Sequence, residues 1–422
     1  MQDKLHEKLD SLIRAGKRKF AIYPYGDIGI QVQNILIEKY KINDSVFMDI
    51  SDNIHSGYII LLVNMNRDEY YKTRAVLLEK VSQERIIDVF LDFVADVTVV
   101  NNIQKGVNTR VIFNPIYKWP SVEDKMIQVG LNTGNLVFVE AIKRNVIYDY
   151  ESFLTKEWSK DFLGKENVKA IMPAANFLSK ETTWIEKLVP ILESTDMSFT
   201  LAGLGAQAKL DEVPRDVVSK LSKGQRRFFS LVSERAKSIG VRGSFTAECL
   251  ELLGIKNVEI IGCPSFYKYE GDYPTINGAA LDKVMCTKSG RDTKVQELSE
   301  MTNATIISQM PSDEKKEKKN IFWDYDEWNE YIQKNKFTFS FGTRFHGNMM
   351  ALNNGIPALW VVHDWRTLEL AQYLKLPYIN YYKEFQDITK PQQLLEYCNY
   401  SEVYKNYKNL YKNYQEFIRH NF

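Results

Sequence analysis

Residues 337–362 spell out one strand, loop, helix and second strand, and that order constrains the fold more than any other feature of the chain. The apolar run 337–341 predicts a strand. Gly342 punctuates the loop after it, a short helical pattern follows, and Gly355 and Pro357 stop that helix. A second apolar run, 358–362, comes next. The loop, Gly342-Thr-Arg-Phe-His-Gly347, places Thr343, Arg344, His346 and Gly347 where a strand hands over to a helix. The start of a helix offers unpaired N–H groups and a positive dipole end, which suit anions. Arginine adds a planar donor fork for phosphate or carboxylate, and histidine moves a proton near neutral pH. An isolated R-x-H-G is also what a structural arginine and a turn-capping histidine look like. In this setting the combination points to chemistry on an anionic substrate.

The same alternation runs along the chain. Residues 1–18 read as an amphipathic helix, 20–23 as a buried strand, 30–40 as a helix, 46–49 and 58–63 as strands, and 73–80 as a helix. Alternating strands and helices predict an α/β fold with a parallel sheet of Rossmann type. The turn at Pro24-Tyr-Gly26-Asp-Ile-Gly29 is a degenerate dinucleotide loop, and Asp49 stands about where a ribose-binding acid would. Proline in the first glycine position spoils the tight turn a pyrophosphate needs, so no cofactor is expected there. Residues 98–120 carry the breakers Asn101-Asn102, Pro115 and Pro120, and the first domain boundary is placed there. The expected units are 1–115, 116–275, 276–385 and a helical tail at 386–422. The Tyr-, Gly- and Pro-rich stretch 266–282 reads as a linker.

A chain of 422 residues exceeds one small core. Lys and Arg total 55 against 54 Asp and Glu, so no general field for nucleic acid exists and any anion site must be local. Four cysteines without C-x-x-C spacing indicate neither a zinc site nor a disulfide scaffold. The polar opening and the lack of a long apolar run lead to an expectation of a cytoplasmic protein, with peripheral contact at the inner face of a membrane left open. That contact would use the aromatic, basic tail 404–417, which reads first as a packing helix. Trp323-Asp-Tyr-Asp326 contains a D-x-D pair that could hold a metal, but Asp326 before a helical pattern reads better as its N-cap. His363 beside Asp364 is too small a set to claim a metal.

Several ordered motifs over residues 128–385 resemble the polysaccharide pyruvyl transferases. The block Arg344-Phe-His-Gly, a small apolar helix and Gly355-Ile-Pro357 is the most specific. Asn132 and Gly134 match the family's N-x-G-D opening, where Asn135 replaces the usual Asp. Gly203-Leu-Gly205-Ala-Gln207 is similar to its G-x-G-x-Q segment. Arg242 matches the arginine of V-R-D, while Gly243 replaces that Asp and Cys263 the Asp before Pro264. The resemblance implies a GT-B-like transferase of two lobes with parallel sheets flanked by helices, following a Rossmann-like N-terminal module. It implies phosphoenolpyruvate as donor, a lipid-linked or nucleotide-linked saccharide as acceptor, and no metal or redox cofactor. His346 and Arg344 would be catalytic. Substrate would be held by Arg242, Asn132, Gly134, Gly205, Gln207, Thr343, Gly347, His363 and Arg366. Two alternatives share such a cleft: a glycosyltransferase using a nucleotide sugar, and an inactive sugar-binding relative.

Overall fold

Apolar runs of three to seven residues build the interior strands, as buried parallel sheets require. The computed structural model describes residues 2–23, 27–48, 57–63, 109–114, 129, 132–153, 167–276, 278–288, 292–310, 320–422 and parts of 73–88. The chain divides into two compact units, Met1–Asn101 and Asn102–Phe422.

The first unit has a parallel sheet ordered β2-β1-β3-β4, with β1 at Phe20–Tyr23, β2 at Ser45–Phe47, β3 at Ile59–Leu62 and β4 at Ile86–Asp88. The helices Gln2–Arg14 and Asp27–Glu38 agree with the expected Rossmann-like alternation. Pro24, Gly26 and Asp49 lie outside the described residues, as does half of the expected helix 73–80.

The second unit holds two lobes, each on its own parallel sheet. The first sheet is ordered β10-β9-β8-β7-β5-β6. Its strands are β5 (Thr109–Asn114), β6 (Tyr150–Phe153), β7 (Val168–Pro173), β8 (Ser198–Leu204), β9 (Ile239–Val241) and β10 (Val258–Ile260). The second sheet runs β12-β11-β13-β14-β15, from β11 (Val284–Cys286), β12 (Thr305–Ile306), β13 (Phe339–Gly342), β14 (Ala358–Val362) and β15 (Tyr378–Asn380). This is the α/β architecture expected, and β13, the helix Phe345–Leu352 and β14 form the unit read from residues 337–362.

Three local readings change, and that of the tail holds. The chain divides after Asn101, not near residue 115, because β5 pairs with β7 on one side and β6 on the other. The stretch 266–282 is no free linker, since Tyr267 and Tyr273 are buried and the Tyr267 ring stacks on Tyr414 at 4.4 Å. The tail helix Ser401–Asn421 packs as read, and it returns to the first lobe, where Asn421 Nδ2 donates to Ser238 Oγ at 2.8 Å. The N-cap before the helix Tyr325–Asn335 is Asp324, whose Oδ1 accepts from the backbone N–H of Asp326 and Glu327; Asp326 lies inside the helix.

Candidate active site between two lobes

Arg242 leaves the end of β9 and lies across Gly205, just past β8. A β-carbon at Gly205 would stand 2.7 Å from Arg242 Cδ, so the glycine makes the space the arginine occupies. Arg242 Nε donates to Gly203 O at 2.9 Å and Nη1 to Asn176 Oδ1 at 3.3 Å. Nη2 is buried with no hydrogen-bond partner. Burial pulls the Arg242 pKa below its ordinary value, while Cys263, Glu369 and Asp364 favour the charge. Guanidinium is basic enough to stay protonated regardless.

The second cation comes from the loop after β13. Gly342 has φ +144°, and a β-carbon there would meet Thr287 O at 2.1 Å, so glycine is required by both conformation and space. Arg344 N donates to Thr287 O at 3.1 Å, and its Nη2 lies against Met310 Sδ. Thr343 Oγ1 donates to Asp292 Oδ2 at 2.5 Å. Asn348, fully buried, braces the loop from below. Its Oδ1 accepts from Thr287 Oγ1 at 3.0 Å and Ser340 Oγ at 2.8 Å. Its Nδ2 donates to Gly342 O at 3.0 Å and Leu359 O at 3.2 Å. Those four bonds tie the ends of β13 and β14 to the helix between them and so fix where that helix begins.

His346, on the first turn of that helix, is buried against Phe138 and Phe345, each ring 5.4 Å away. Its Nε2 is 3.5 Å from Cys263 Sγ. Burial, then the charges of Arg242 and Arg366, hold its pKa well below the usual imidazole range, so it stands neutral at pH 7. Asp364 caps the helix Trp365–Tyr373, accepting from Thr367 N at 3.0 Å, and pairs with Arg366, whose Nε donates to Oδ2 at 2.7 Å. Burial opposes its ionisation, but Arg366 and His363 outweigh that and bring its pKa to about 2.

These elements enclose a narrow polar pocket of about 50 Å³. Asn132, Arg242, Thr343, Arg344, His346, His363 and Arg366, all named from the sequence, line it together. Gly205 lies under Arg242. Gln207 instead lines a larger adjoining cleft, which shares His363 and Arg366 with the first. Gly134 and Gly347 are explained by a residue the sequence reading missed. The Gln309 carboxamide is wedged between them: a β-carbon at Gly134 would sit 2.2 Å from Oε1 and one at Gly347 2.6 Å from Nε2. Gln309 O accepts from Thr133 N at 2.9 Å, and Gln309 Nε2 is buried without a partner. Gln309, Asn135, Ala175, Asn176, Phe345 and Thr367 complete the lining. No spacing in the sequence marks Gln309, because it reaches the pocket only when the lobes meet.

The three positions that depart from the family pattern acquire reasons. Asn135 Nδ2 donates to Val129 O at 2.8 Å, which a carboxylate could not do. At Gly243 a β-carbon would lie 2.6 Å from Glu369 Cβ, so that space belongs to the other lobe. Glu369 accepts from Thr246 Oγ1 at 2.7 Å and Thr246 N at 3.0 Å, and burial raises its pKa to about 7. Cys263 faces His346 where an aspartate would have set a charge. The lobes are further joined by Trp365, stacked on Phe245 at 4.6 Å and donating through Nε1 to Glu212 O at 3.0 Å. Among the described residues, no cluster of three or more His, Cys, Asp or Glu could hold a metal.

The two arginines, the buried histidine and their loops fall within one family match. Residues 218–364 match the polysaccharide pyruvyl transferase family. The match takes in Arg242 and the whole R-F-H-G loop of this transferase family. No curated protein matches the chain. Similar solved structures include a functionally uncharacterized protein from Klebsiella pneumoniae subsp. pneumoniae, 10% identical, covering 63% of this chain and 88% of that one with a TM-score of 0.37. A candidate UDP-N-acetylglucosamine 2-epimerase from Listeria monocytogenes is 11% identical, covering 74% and 91% at a TM-score of 0.37. The wall teichoic acid polymerase TagF is 10% identical, covering 73% and 84% at 0.32.

Proposed function

We propose that the protein transfers pyruvate from phosphoenolpyruvate onto two hydroxyls of a lipid-linked or nucleotide-linked saccharide, forming a pyruvate ketal on a cell-surface polysaccharide precursor. The observation that carries this reading is the buried, unpartnered Nη2 of Arg242 in a pocket that also holds Arg344, Arg366 and His346. A buried donor without a partner costs about 1–3 kcal/mol, and a donor molecule with both phosphate and carboxylate supplies the missing acceptor.

Arg242 from the first lobe and Arg344 from the second grip the two anionic groups, and the first turn of the helix Phe345–Leu352 faces the departing phosphate. His346 protonates the methylene carbon, making C2 electrophilic. A saccharide hydroxyl attacks C2, the C2–O bond to phosphate breaks, and a second hydroxyl closes the ketal. Of the two hydroxyl protons released, one balances the proton given to the methyl group and the other leaves with phosphate. His363, on the wall shared with the adjoining cleft and with Nδ1 unpartnered, accepts the proton of the attacking hydroxyl. The scheme uses no metal or redox cofactor.

His346 must gain a proton to act. Arg242 and Arg366 depress its pKa after burial does, so an anion bound between them raises it. Donor binding therefore takes up protons, seen as a dependence of the calorimetric binding heat on buffer ionisation enthalpy. The deciding experiment compares thermal stabilisation by phosphoenolpyruvate and by nucleotide sugars, followed by phosphate release with saccharide present. Stabilisation by phosphoenolpyruvate with phosphate release supports the reading. Stabilisation by a nucleotide sugar alone replaces it with glycosyl transfer.

A further inference from the structure

Beyond the His363–Arg366 wall lies a cleft of about 750 Å³, within the size range of small-ligand sites and far larger than the anion pocket. Its walls come from both lobes: Gln207, Lys209 and Glu212 from the first, Asp364 and Tyr382 from the second. Most of the charges there are already answered within the protein. Glu212 Oε1 accepts from Lys220 Nζ at 2.5 Å and its Oε2 from Lys209 N at 2.7 Å. Lys180 pairs with Glu181 at 3.7 Å, and Asp364 is taken by Arg366 and Thr367. Four cations, Lys180, Lys209, Lys220 and Arg366, face three carboxylates, Glu181, Glu212 and Asp364, so the lining has little charge to spare and presents donors and acceptors on every side.

One aromatic ring stands out in this polar setting. Tyr382 is 63% exposed, and its ring meets Tyr381 edge to face at 5.1 Å. The Tyr382 backbone N–H is fixed to Asn380 Oδ1 at 2.9 Å. An exposed ring in a cleft of paired polar groups suits a ligand with an apolar C–H face and many hydroxyls. At the inner end, His363 Nδ1 is buried without a partner on the wall shared with the anion pocket, where a ligand hydroxyl can satisfy it.

We infer that this cleft is the acceptor subsite and that it binds the hydroxyl-rich end of a saccharide, with Tyr382 under a pyranose ring and the reacting hydroxyls at His363. The inference rests on the pyruvyl-transfer reading for the word acceptor, but the binding it asserts can be measured without turnover.

The test is saturation-transfer NMR with methyl glycosides of glucose, galactose and mannose, with lactose and maltose, and with glucose 1-phosphate and galactose 1-phosphate. Each is run on wild type, Tyr382→Ala and Gln207→Ala. Expected are transfer to at least one neutral saccharide, affinity about tenfold weaker in Tyr382→Ala, and phosphoenolpyruvate affinity within about twofold of wild type in both variants. Tyr382 is exposed, so its replacement leaves the fold intact. No transfer to any neutral saccharide overturns the inference. So does binding indifferent to Tyr382→Ala. Absence of phosphoenolpyruvate binding, with Tyr382-dependent saccharide binding intact, would refute the donor reading and leave the saccharide site standing.

Discussion

Gly205→Ala tests whether the position of Arg242, and not its charge alone, binds the donor. The added methyl would stand 2.7 Å from Arg242 Cδ, 3.3 Å from its Nε and 3.3 Å from Ala175 O. Carbon pairs settle at roughly 3.5–4.0 Å, so the arginine must give way by about 1 Å. Gly205 is not in the left-handed region, so alanine brings no backbone strain, and the atom it meets belongs to a side chain that can move. Stability should therefore fall by roughly 1–2 kcal/mol, the range for a tolerated overpacked site. The displaced guanidinium loses its 2.9 Å bond to Gly203 O and its aim into the pocket. Misplacement of about 1 Å at a reacting centre costs up to roughly 100-fold, so phosphoenolpyruvate affinity should drop by about 10- to 100-fold. Calorimetric titration of the variant, of Arg242→Ala and of the double variant decides the matter. The double variant should bind no worse than Arg242→Ala, because the methyl acts only through the arginine. Wild-type affinity in Gly205→Ala, or full additivity in the double variant, would refute the argument.

His346→Ala should keep donor binding and lose turnover by about 100- to 10,000-fold, measured as phosphate release; near-normal turnover would remove its assigned role. Asn348→Ala removes four buried hydrogen bonds and should cost about 2–4 kcal/mol in urea unfolding, with a matching loss of donor affinity as the Arg344 loop loosens. Glu369 has a folded pKa raised to about 7, so the native state holds its proton more tightly than the unfolded chain. Stability should then decline as pH rises from about 4.3 to 7, by on the order of 3 kcal/mol, and level off above that. Glu369→Gln should flatten this slope, read from denaturation midpoints at pH 5 and pH 8. A chain beginning at Asn102 should fold and bind phosphoenolpyruvate, whereas one beginning at Ser121 deletes β5 from between β6 and β7 and should not fold, as circular dichroism would show.

The α/β class and most strands were legible in the residues alone, because apolar runs separated by glycine and proline stops are local signals. The sequence also marked Arg344 and His346, because their loop follows a strand and opens a helix, a short-range pattern that carries its own chemistry, and it marked Arg242 through the family resemblance. It misread β5, whose apolar core Val111-Ile-Phe113 lies amid asparagines and prolines that read as a connector. Its strand character comes from β6 and β7, which are distant in the chain. The reason for Gly134, Gly347 and Gly243 was equally out of reach. Those glycines answer to Gln309 and Glu369, side chains from elements far along the chain. Tertiary structure alone decided that Arg242 and Arg344 share one pocket though 102 positions separate them, that Gln207 belongs to the neighbouring cleft, and that His346 is neutral. Each of these depends on burial and on partners brought together only when the lobes pack, and local sequence carries no record of a distance between its distant parts.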